Sequence, residues 1–377
     1  MNGTYSQKYL APVILLGTLV LFLLGNIASA QKPQLPDAPP PPKYKPKPTP
    51  TPTPIRPEDI DVVRVNSNLV MVPVSVVDPN GQAVHGLQLN DFRLEEQGRK
   101  QEISQIGDPE QVPLDIALLF DVSSSVSQKG FFAFQQKAAA EFLQRVLKPA
   151  DKAAVFTIAQ EPGLVSPLAS AESSAATVVR IPAATTPVPT AFYDTVTAAA
   201  KYLTSASTNG RRRVIVVITD GDDNFSRIVQ DLSLAEVRAA QNGQLTPAAS
   251  RVSLQQRHRQ AVLEVQRAAQ QADAAFYSIN PGGPSVRLNQ ISMRAETGME
   301  AIAAATGGTA FVPDGEKDLE RVFSEIAAEL RGQYLLQYYS NSPNAGVEFR
   351  KILVTVPTHN GVRVRARQGY YSKAGKD

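Results

Sequence analysis

The chain of 377 residues contains no cysteine. That excludes a disulfide framework, a thiolate nucleophile, a Cys-bearing zinc site and lipid attachment through an N-terminal cysteine. A packed core must therefore hold the folded part together, and an exported protein of this kind suits a bacterial envelope better than an animal extracellular space. Histidine is almost as scarce, His85, His258 and His359 being the whole supply. None of them stands in a recognisable relation to a nucleophile, no G-x-S-x-G elbow surrounds a serine, and no H-E-x-x-H occurs. A glycine-rich phosphate loop is missing too, because "ATGG" at 305–308 reads as a helix C-terminus before a strand. Enzymatic activity is not expected. Large net charge is also absent: the formal value of +3 argues against a dedicated nucleic-acid binder. The local exception, Arg211, Arg212 and Arg213, precedes an apolar strand and reads as a solvated strand entry rather than a phosphate site.

Long apolar runs are confined to the N-terminus, where Lys8 precedes "LAPVILLGTLVLFLLG" and the small-residue triplet "ASA" at 28–30. This is the layout of a secretory signal over 1–30, with cleavage expected after Ala30. The run is close to the lower limit of about 17 residues for a spanning helix, so an uncleaved anchor is the alternative. Either reading places the rest of the chain in the periplasm, the cell envelope or the medium. A Pro-rich linker follows at 31–58, with Pro alternating with Lys and Thr in "PPPPKYKPKPTPTPTP". It has no apolar periodicity, favours polyproline II at about 3.1 Å per residue, and is a spacer of some 60 Å or a disordered leader.

What remains has the composition of a globular protein, 43% hydrophobic and 19% charged, and is long enough for two folded units. Residues 59–111 carry period-two alternation in "LVMVPVSVV" and a turn at "DPNG", the signals of a small β-rich module. The same alternation returns over 333–374 in "QYLLQYYS", "FRKILVTVP" and "GVRVRARQGYY". These C-terminal strands are expected to pack with the N-terminal ones as one sheet or sandwich. Between the two sets, over 112–332, the period changes. Buried strands such as "LDIALLF", "AAVFTIA", "VIVVIT" and "AAFYSI" alternate with helical segments, which predicts an α/β unit with a mostly parallel sheet covered on both faces. Ligands of such sheets bind beyond the carboxyl ends of the strands.

That rim is where oxygen side chains accumulate. Asp121, Ser123 and Ser125 form D-x-S-x-S in the loop leaving the first central strand, Asp220 follows the strand "VIVVIT", and Thr190 is delivered by the loop "PVPTAFYD" just before a helix. Together these pieces resemble the metal-ion-dependent adhesion site of the von Willebrand factor A-domain family, and the resemblance covers roughly 112–332. It implies that fold, with Ser123 and Ser125 as direct hydroxyl ligands, Thr190 binding directly or through water, and Asp121 and Asp220 acting mainly through water. Pro189 stands where family members often have glycine, which stiffens the loop and puts in question whether Thr190 shifts on binding.

The residue types fit the chemistry. Mg²⁺ takes near-octahedral oxygen ligands and keeps waters, whereas sites enclosing Ca²⁺ use more carboxylates. Neutral hydroxyls leave the ion electron-poor, able to attract an Asp or Glu carboxylate from a partner protein. Mg²⁺ is the expected cofactor, with Mn²⁺ or Ca²⁺ as alternatives. The competing reading of "DVSSS" is a helix cap, which leaves Thr190 and Asp220 unexplained. Asp222 and Asp223 read as a solvated loop or a second cation site. The long segment 225–273 carries Arg251, Arg257, His258, Arg259 and Arg267, and either shapes partner choice or packs on the sheet with its charges in solvent. The resulting expectation is an exported protein-binding module. A structural envelope component in which the metal is incidental is the alternative.

Overall fold

A computed structural model describes residues 69–123, 132–281, 290–342 and 347–372. The expected signal, linker and first part of the β-rich module, together with Ser125 and the start of the helix after it, lie outside the described residues. No helix among the described residues is long and apolar enough to cross a membrane.

The sandwich comes from both ends of the described chain. Strands β1 (Leu69–Val77), β2 (Arg93–Glu96), β3 (Arg99–Gln101) and β4 (Ile103–Gly107) precede the central unit. Four more, β11 (Tyr334–Tyr339), β12 (Phe349–Thr355), β13 (Arg363–Ala366) and β14 (Gly369–Tyr371), follow it. They interleave as two four-stranded sheets, β13-β1-β11-β4 and β14-β12-β2-β3. Neighbouring strands in both sheets pair antiparallel, with Val72 opposite Leu336 and Val354 opposite Leu94. Period two puts one side of each strand into the core: Val70, Val72, Val74 and Val76 of β1 all point inward, meeting Leu94, Leu336, Tyr338, Ile352 and Val354. Inside that core Glu96 is fully buried, yet it is satisfied. It accepts hydrogen bonds from Tyr338 Oη (2.6 Å), Ser340 Oγ (2.8 Å) and Tyr370 Oη (3.0 Å), with the buried Arg350 guanidinium 3.5 Å away.

The central unit holds β5 (Leu114–Asp121), β6 (Lys152–Ile158), β7 (Gly163–Ala169), β8 (Arg212–Ile218), β9 (Ala274–Ile279) and β10 (Ala310–Phe311). Their spatial order is β10-β9-β8-β5-β6-β7, parallel except for β7. β5 is buried along all of its length. Such a continuous apolar run is what a strand covered on both faces requires. One face is covered by α1 (Phe132–Val146), α2 (Ala171–Val178) and α8 (Glu316–Gly332). The other is covered by α3 (Phe192–Ala206), α6 (Pro247–Gln271) and α7 (Gln290–Thr306). Two short helices, α4 (Arg227–Gln230) and α5 (Leu234–Gln241), lead from β8 into α6. Where "ATGG" ends α7, a Cβ on Gly308 would fall 2.0 Å from the Phe276 carbonyl oxygen, so only glycine lets the chain pass β9.

Two features depart from the sequence reading. The antiparallel edge strand β7 and helix α2 went unrecognised because "GLVSPLA" carries an internal proline and exposes Leu164 and Val165, the marks of an edge strand rather than a core one. The arginine triplet is not a solvated strand entry. Arg212 donates to the Leu330 carbonyl at the end of α8 (2.7 Å), and Arg213 to Ala272 (2.8 Å) and Ser207 (3.3 Å), the C-caps of α6 and α3. Arg211 lies 2.6 Å from the buried Asp115 carboxylate. The negative ends of three helices and one aspartate thus compensate the charges, and the triplet ties the helices to the sheet.

Sandwich and α/β unit are joined by a polar seam. Glu329 on α8 accepts from Ser75 Oγ of β1 (2.7 Å) and Tyr277 Oη of β9 (3.2 Å), and pairs with Arg365 of β13 (2.8 Å). Arg367 pairs with Asp273, just before β9, and donates to the Met71 carbonyl (2.7 Å). The sandwich therefore docks where β9 begins, leaving the carboxyl ends of the parallel strands uncovered by it.

Candidate functional site

In the strand order, β5 feeds β6 on one side while the chain later returns through β8 on the other. The loops leaving β5 and β8 diverge, and the crevice between them is the switch point where doubly wound sheets hold ligands. Asp121 is the last residue of β5, and Asp220 lies two residues beyond β8. Asp121 is fully buried, its Oδ1 accepting the Ser123 N–H (2.7 Å) and its Oδ2 the Thr219 hydroxyl (2.5 Å). Thr219 Oγ1 in turn accepts the Gly221 N–H at 2.9 Å. Gly221 has φ +74°, and a Cβ there would meet the Met299 side chain at 2.7 Å, so the turn that carries Asp220 needs glycine.

β5 bears a buried aspartate at each end of its apolar run, and the two are treated differently. Asp115 has the Arg211 guanidinium beside it. Asp121 has the Asp220 carboxylate instead. Burial first, and then the Asp220 charge, push the Asp121 carboxyl up to about 6, while hydrogen bonds from Thr219 and Ser123 pull the other way. A divalent cation would relieve this repulsion, and hydroxyls with two carboxylates form an all-oxygen donor set of the type hard cations take. The residues present fit such an ion. Ser123 and Thr190 are buried at the same rim, while Ser125 lies outside the described residues. No group of three or more His, Cys, Asp or Glu suited to a metal occurs among the described residues, which sets this rim apart from a carboxylate cage or a zinc site.

Thr190 is fixed by the loop after β8. Its N–H donates to Asn224 Oδ1 (2.9 Å), and its carbonyl accepts the N–H groups of Asn224 (3.1 Å) and Phe225 (3.0 Å). The next residue, Ala191, is the N-cap of α3 and offers no side-chain acceptor. The missing caps arrive from the same loop: Asp223 Oδ2 accepts the Tyr193 N–H (2.9 Å) and Ser226 Oγ the Asp194 N–H (3.0 Å). Asp223 also accepts from Ser226 Oγ (2.5 Å) and from the Ser226 and Phe225 N–H groups (2.9 and 3.2 Å). It is neither solvated nor available to a second cation; it is a buried strut. Asp222, half-buried, faces Arg294 of α7 at 3.5 Å. Sequence reasoning missed the roles of Asp223, Asn224 and Ser226. Their only local signal was an Asp three residues before the Ser that precedes α4, and the groups they satisfy lie about thirty residues away.

The segment 225–273 divides its arginines. Arg257 turns to Glu236 of α5 and to the Val229 carbonyl (2.9 Å), and His258 is buried against Tyr193, its Nδ1 3.2 Å from the phenol oxygen. α6 thus packs on the sheet through His258, Ala261, Val265 and Ala269, while Arg251, Arg259 and Arg267 stay exposed.

No curated protein matches the sequence. Solved structures do, at low identity. The PilB minor pilin of Streptococcus sanguinis is 12% identical, with 59% of this chain and 62% of that chain covered at a TM-score of 0.42. The vWF domain of the type V pili tip protein Mfa5 of Porphyromonas gingivalis is 13% identical, covering 57% of this chain and 94% of that one at 0.41. Proximal thread matrix protein 1 from the mussel byssus, in a structure with a zinc-occupied MIDAS motif, is 15% identical, covering 61% and 48% at 0.41. The chain spans less than two thirds of the pilin and about half of the byssus protein. The family model of the von Willebrand factor type A domain matches residues 115–307, a little over half of the chain, from the second residue of β5 to the end of α7. With that match, the switch-point sheet and the Asp-bearing loops at its rim, the chain belongs to the von Willebrand factor type A domain family.

Proposed function

We propose that this chain is an exported, non-catalytic binding module of the adhesion type, which captures an Asp or Glu carboxylate of a partner protein through one divalent cation. Asp121, Ser123, Ser125, Thr190 and Asp220 are its ligands, and Mg²⁺ is the proposed ion, with Mn²⁺ or Ca²⁺ as alternatives. The observation that carries this reading is the pair of buried carboxylates, Asp121 and Asp220, at the ends of neighbouring strands, where the Asp220 charge adds to burial in raising the Asp121 carboxyl. A buried charge pair of one sign is costly in a protein that has no use for it.

When bound, the cation supplies a Lewis-acidic position that an outside carboxylate can fill. The chain's own groups set up that position. Thr219 and the Ser123 N–H orient the Asp121 carboxylate, Gly221 lets the Asp220 turn close against Met299, and Asn224 holds the Thr190 backbone. Hydroxyl ligands bring no charge, so the ion keeps its pull on an external anion. The signal-like N-terminus and the absence of cysteine support an exported location, in the envelope or beyond.

Calorimetric titration of the purified chain with Mg²⁺ tests the site, and envelope-protein capture with and without EDTA tests the role. Mg²⁺ binding that disappears in Asp121→Ala, with capture abolished by chelator and restored by Mg²⁺ only in the native protein, is the expected result. Equal Mg²⁺ affinity in Asp121→Ala would overturn the ligand assignment. Capture indifferent to EDTA would favour a structural envelope role in which the metal is incidental.

A further inference from the structure

Helices α6 and α7 run in parallel, as Gln266 Nε2 reaches the Ala301 carbonyl (2.9 Å) and Gln270 Nε2 the Ala305 carbonyl (3.2 Å). They touch at Gly298, where even a Cβ would come within 3.1 Å of Val262. Toward their N-terminal halves they enclose a groove of about 820 Å³. This is the size range of real ligand sites, about 300–1,000 Å³. Its apolar lining includes Leu254, Val262, Leu263, Ile291 and Met293. Leu263, Ile291 and Met293 remain 63, 49 and 56% exposed, so the lips of the groove are left uncovered as well as its floor.

The charge in the groove has one sign. Arg251, Arg259 and Arg294 line it, and among the described residues no Asp or Glu does. Arg294 leans toward Asp222 from a distance of 3.5 Å, but among the described residues neither Arg251 nor Arg259 has an acidic partner. Those two lie eight residues apart on α6, about 12 Å at 1.5 Å per residue, on one lip, with Arg294 on the other. An occupant confined to the floor would leave Leu263 and Met293 in water. One that covers the lips must be extended, apolar along one stripe, and acidic at its flanks two helical turns apart.

We propose that the α6–α7 groove docks an acidic amphipathic helix of a partner protein, with apolar side chains entering at i, i+3, i+4 and i+7 and flanking carboxylates meeting Arg251, Arg259 and Arg294. The contact does not depend on a cation at the rim.

Fluorescence anisotropy on the full chain tests it with a labelled amphipathic helix of about fourteen residues, Leu on one stripe and Glu on its flanks, against the same peptide with Lys for Glu. The Glu peptide is expected to bind equally with and without EDTA and more weakly as salt rises. Arg251→Glu/Arg259→Glu should weaken it at least tenfold and improve the Lys peptide, and Leu263→Asp should weaken it with an unchanged circular dichroism spectrum. These residues are exposed, so folding is not at stake. Equal affinity for the two peptides, no response to the arginine reversal, or binding lost only in EDTA would overturn the proposal. So would self-association of the chain that Leu263→Asp abolishes, which would assign the groove to a second copy. Binding of phosphatidylglycerol vesicles without binding of the Glu peptide would overturn it in favour of a lipid surface.

Discussion

The side-chain oxygen of Asn224 accepts the Thr190 N–H at 2.9 Å, and the Thr190 carbonyl accepts the Asn224 N–H at 3.1 Å. Two residues 34 positions apart are thereby locked as a reciprocal pair, and the lock joins the loop after β8 to the loop that delivers a proposed ligand. Asn224→Ala removes one hydrogen bond worth about 1 kcal/mol and loosens Thr190 without touching a ligand. Mg²⁺ affinity measured by calorimetry should fall about fivefold. Asn224→Leu, which keeps the volume but not the accepting oxygen, should lose as much as Asn224→Ala, which a purely steric role would not produce.

The buried carboxylate pair makes stability depend on the ion with a sign that can be checked. Asp220 makes one long hydrogen bond, from the Asp222 N–H at 3.4 Å, which an amide oxygen can replace. Asp220→Asn removes the repulsion on Asp121. In EDTA it should therefore unfold at a higher temperature than the native protein, reflecting a stability gain of about 1 kcal/mol. Mg²⁺ should raise the native midpoint and leave the variant's unmoved, because only an ion bound to the folded state shifts the equilibrium. Thermal scans in EDTA and in Mg²⁺ measure both.

Glu96 is the polar centre of the sandwich and acts on the fold alone. Burial by itself would raise its pKa, but hydrogen bonds from Ser342, Tyr338, Ser340 and Tyr370 outweigh that and hold the carboxyl below its ordinary value. Glu96→Ala deprives the buried Arg350 of its carboxylate and strands two phenols. A loss of about 3–5 kcal/mol in urea unfolding is expected, the range for breaking a buried pair from one side. Replacement of the half-buried Glu95 on the same strand, whose partner is the exposed Arg93, should cost far less.

His258 supplies a pH dependence independent of the rim ligands. Burial first, then the charges of Arg294 and Arg257, hold its imidazole down at about 4, and its facing neighbour is the Tyr193 hydroxyl. Between its ordinary value of about 6.5 and that lowered one, the unfolded chain takes up a proton that the folded chain refuses. Its contribution to stability is thus complete above pH 6.5 and is lost as pH falls toward 4, by up to about 3 kcal/mol. His258→Gln, which preserves a partner for Tyr193, should flatten the decline. Urea midpoints of the two proteins at pH 7.5 and 4.5 decide it.

The order of strands and helices was legible in the residue pattern because periods of two and 3.6 are local properties. "LVMVPVSVV" shows its buried face by itself, and "LDIALLF" shows that both of its faces are covered. Asp121, Thr190 and Asp220 stood out because each follows an apolar strand or precedes a helix in a loop rich in oxygen side chains. β7 did not stand out, since an edge strand exposes the residues that would have marked it.

Other properties required the chain to be folded. Asp223, Asn224 and Ser226 look like ordinary loop residues until the β8 loop is laid against the start of α3, where Ala191 cannot cap its own helix. Arg211, Arg212 and Arg213 look like a basic patch until helix ends are brought to them. Composition and local periodicity, which depend on near neighbours, settled the fold class, the absence of thiol chemistry and the kind of oxygen side chains available at the rim. Which carboxylate gained an arginine and which gained another carboxylate was decided by tertiary structure alone, because charge compensation depends on distances between residues that only the strand order brings side by side.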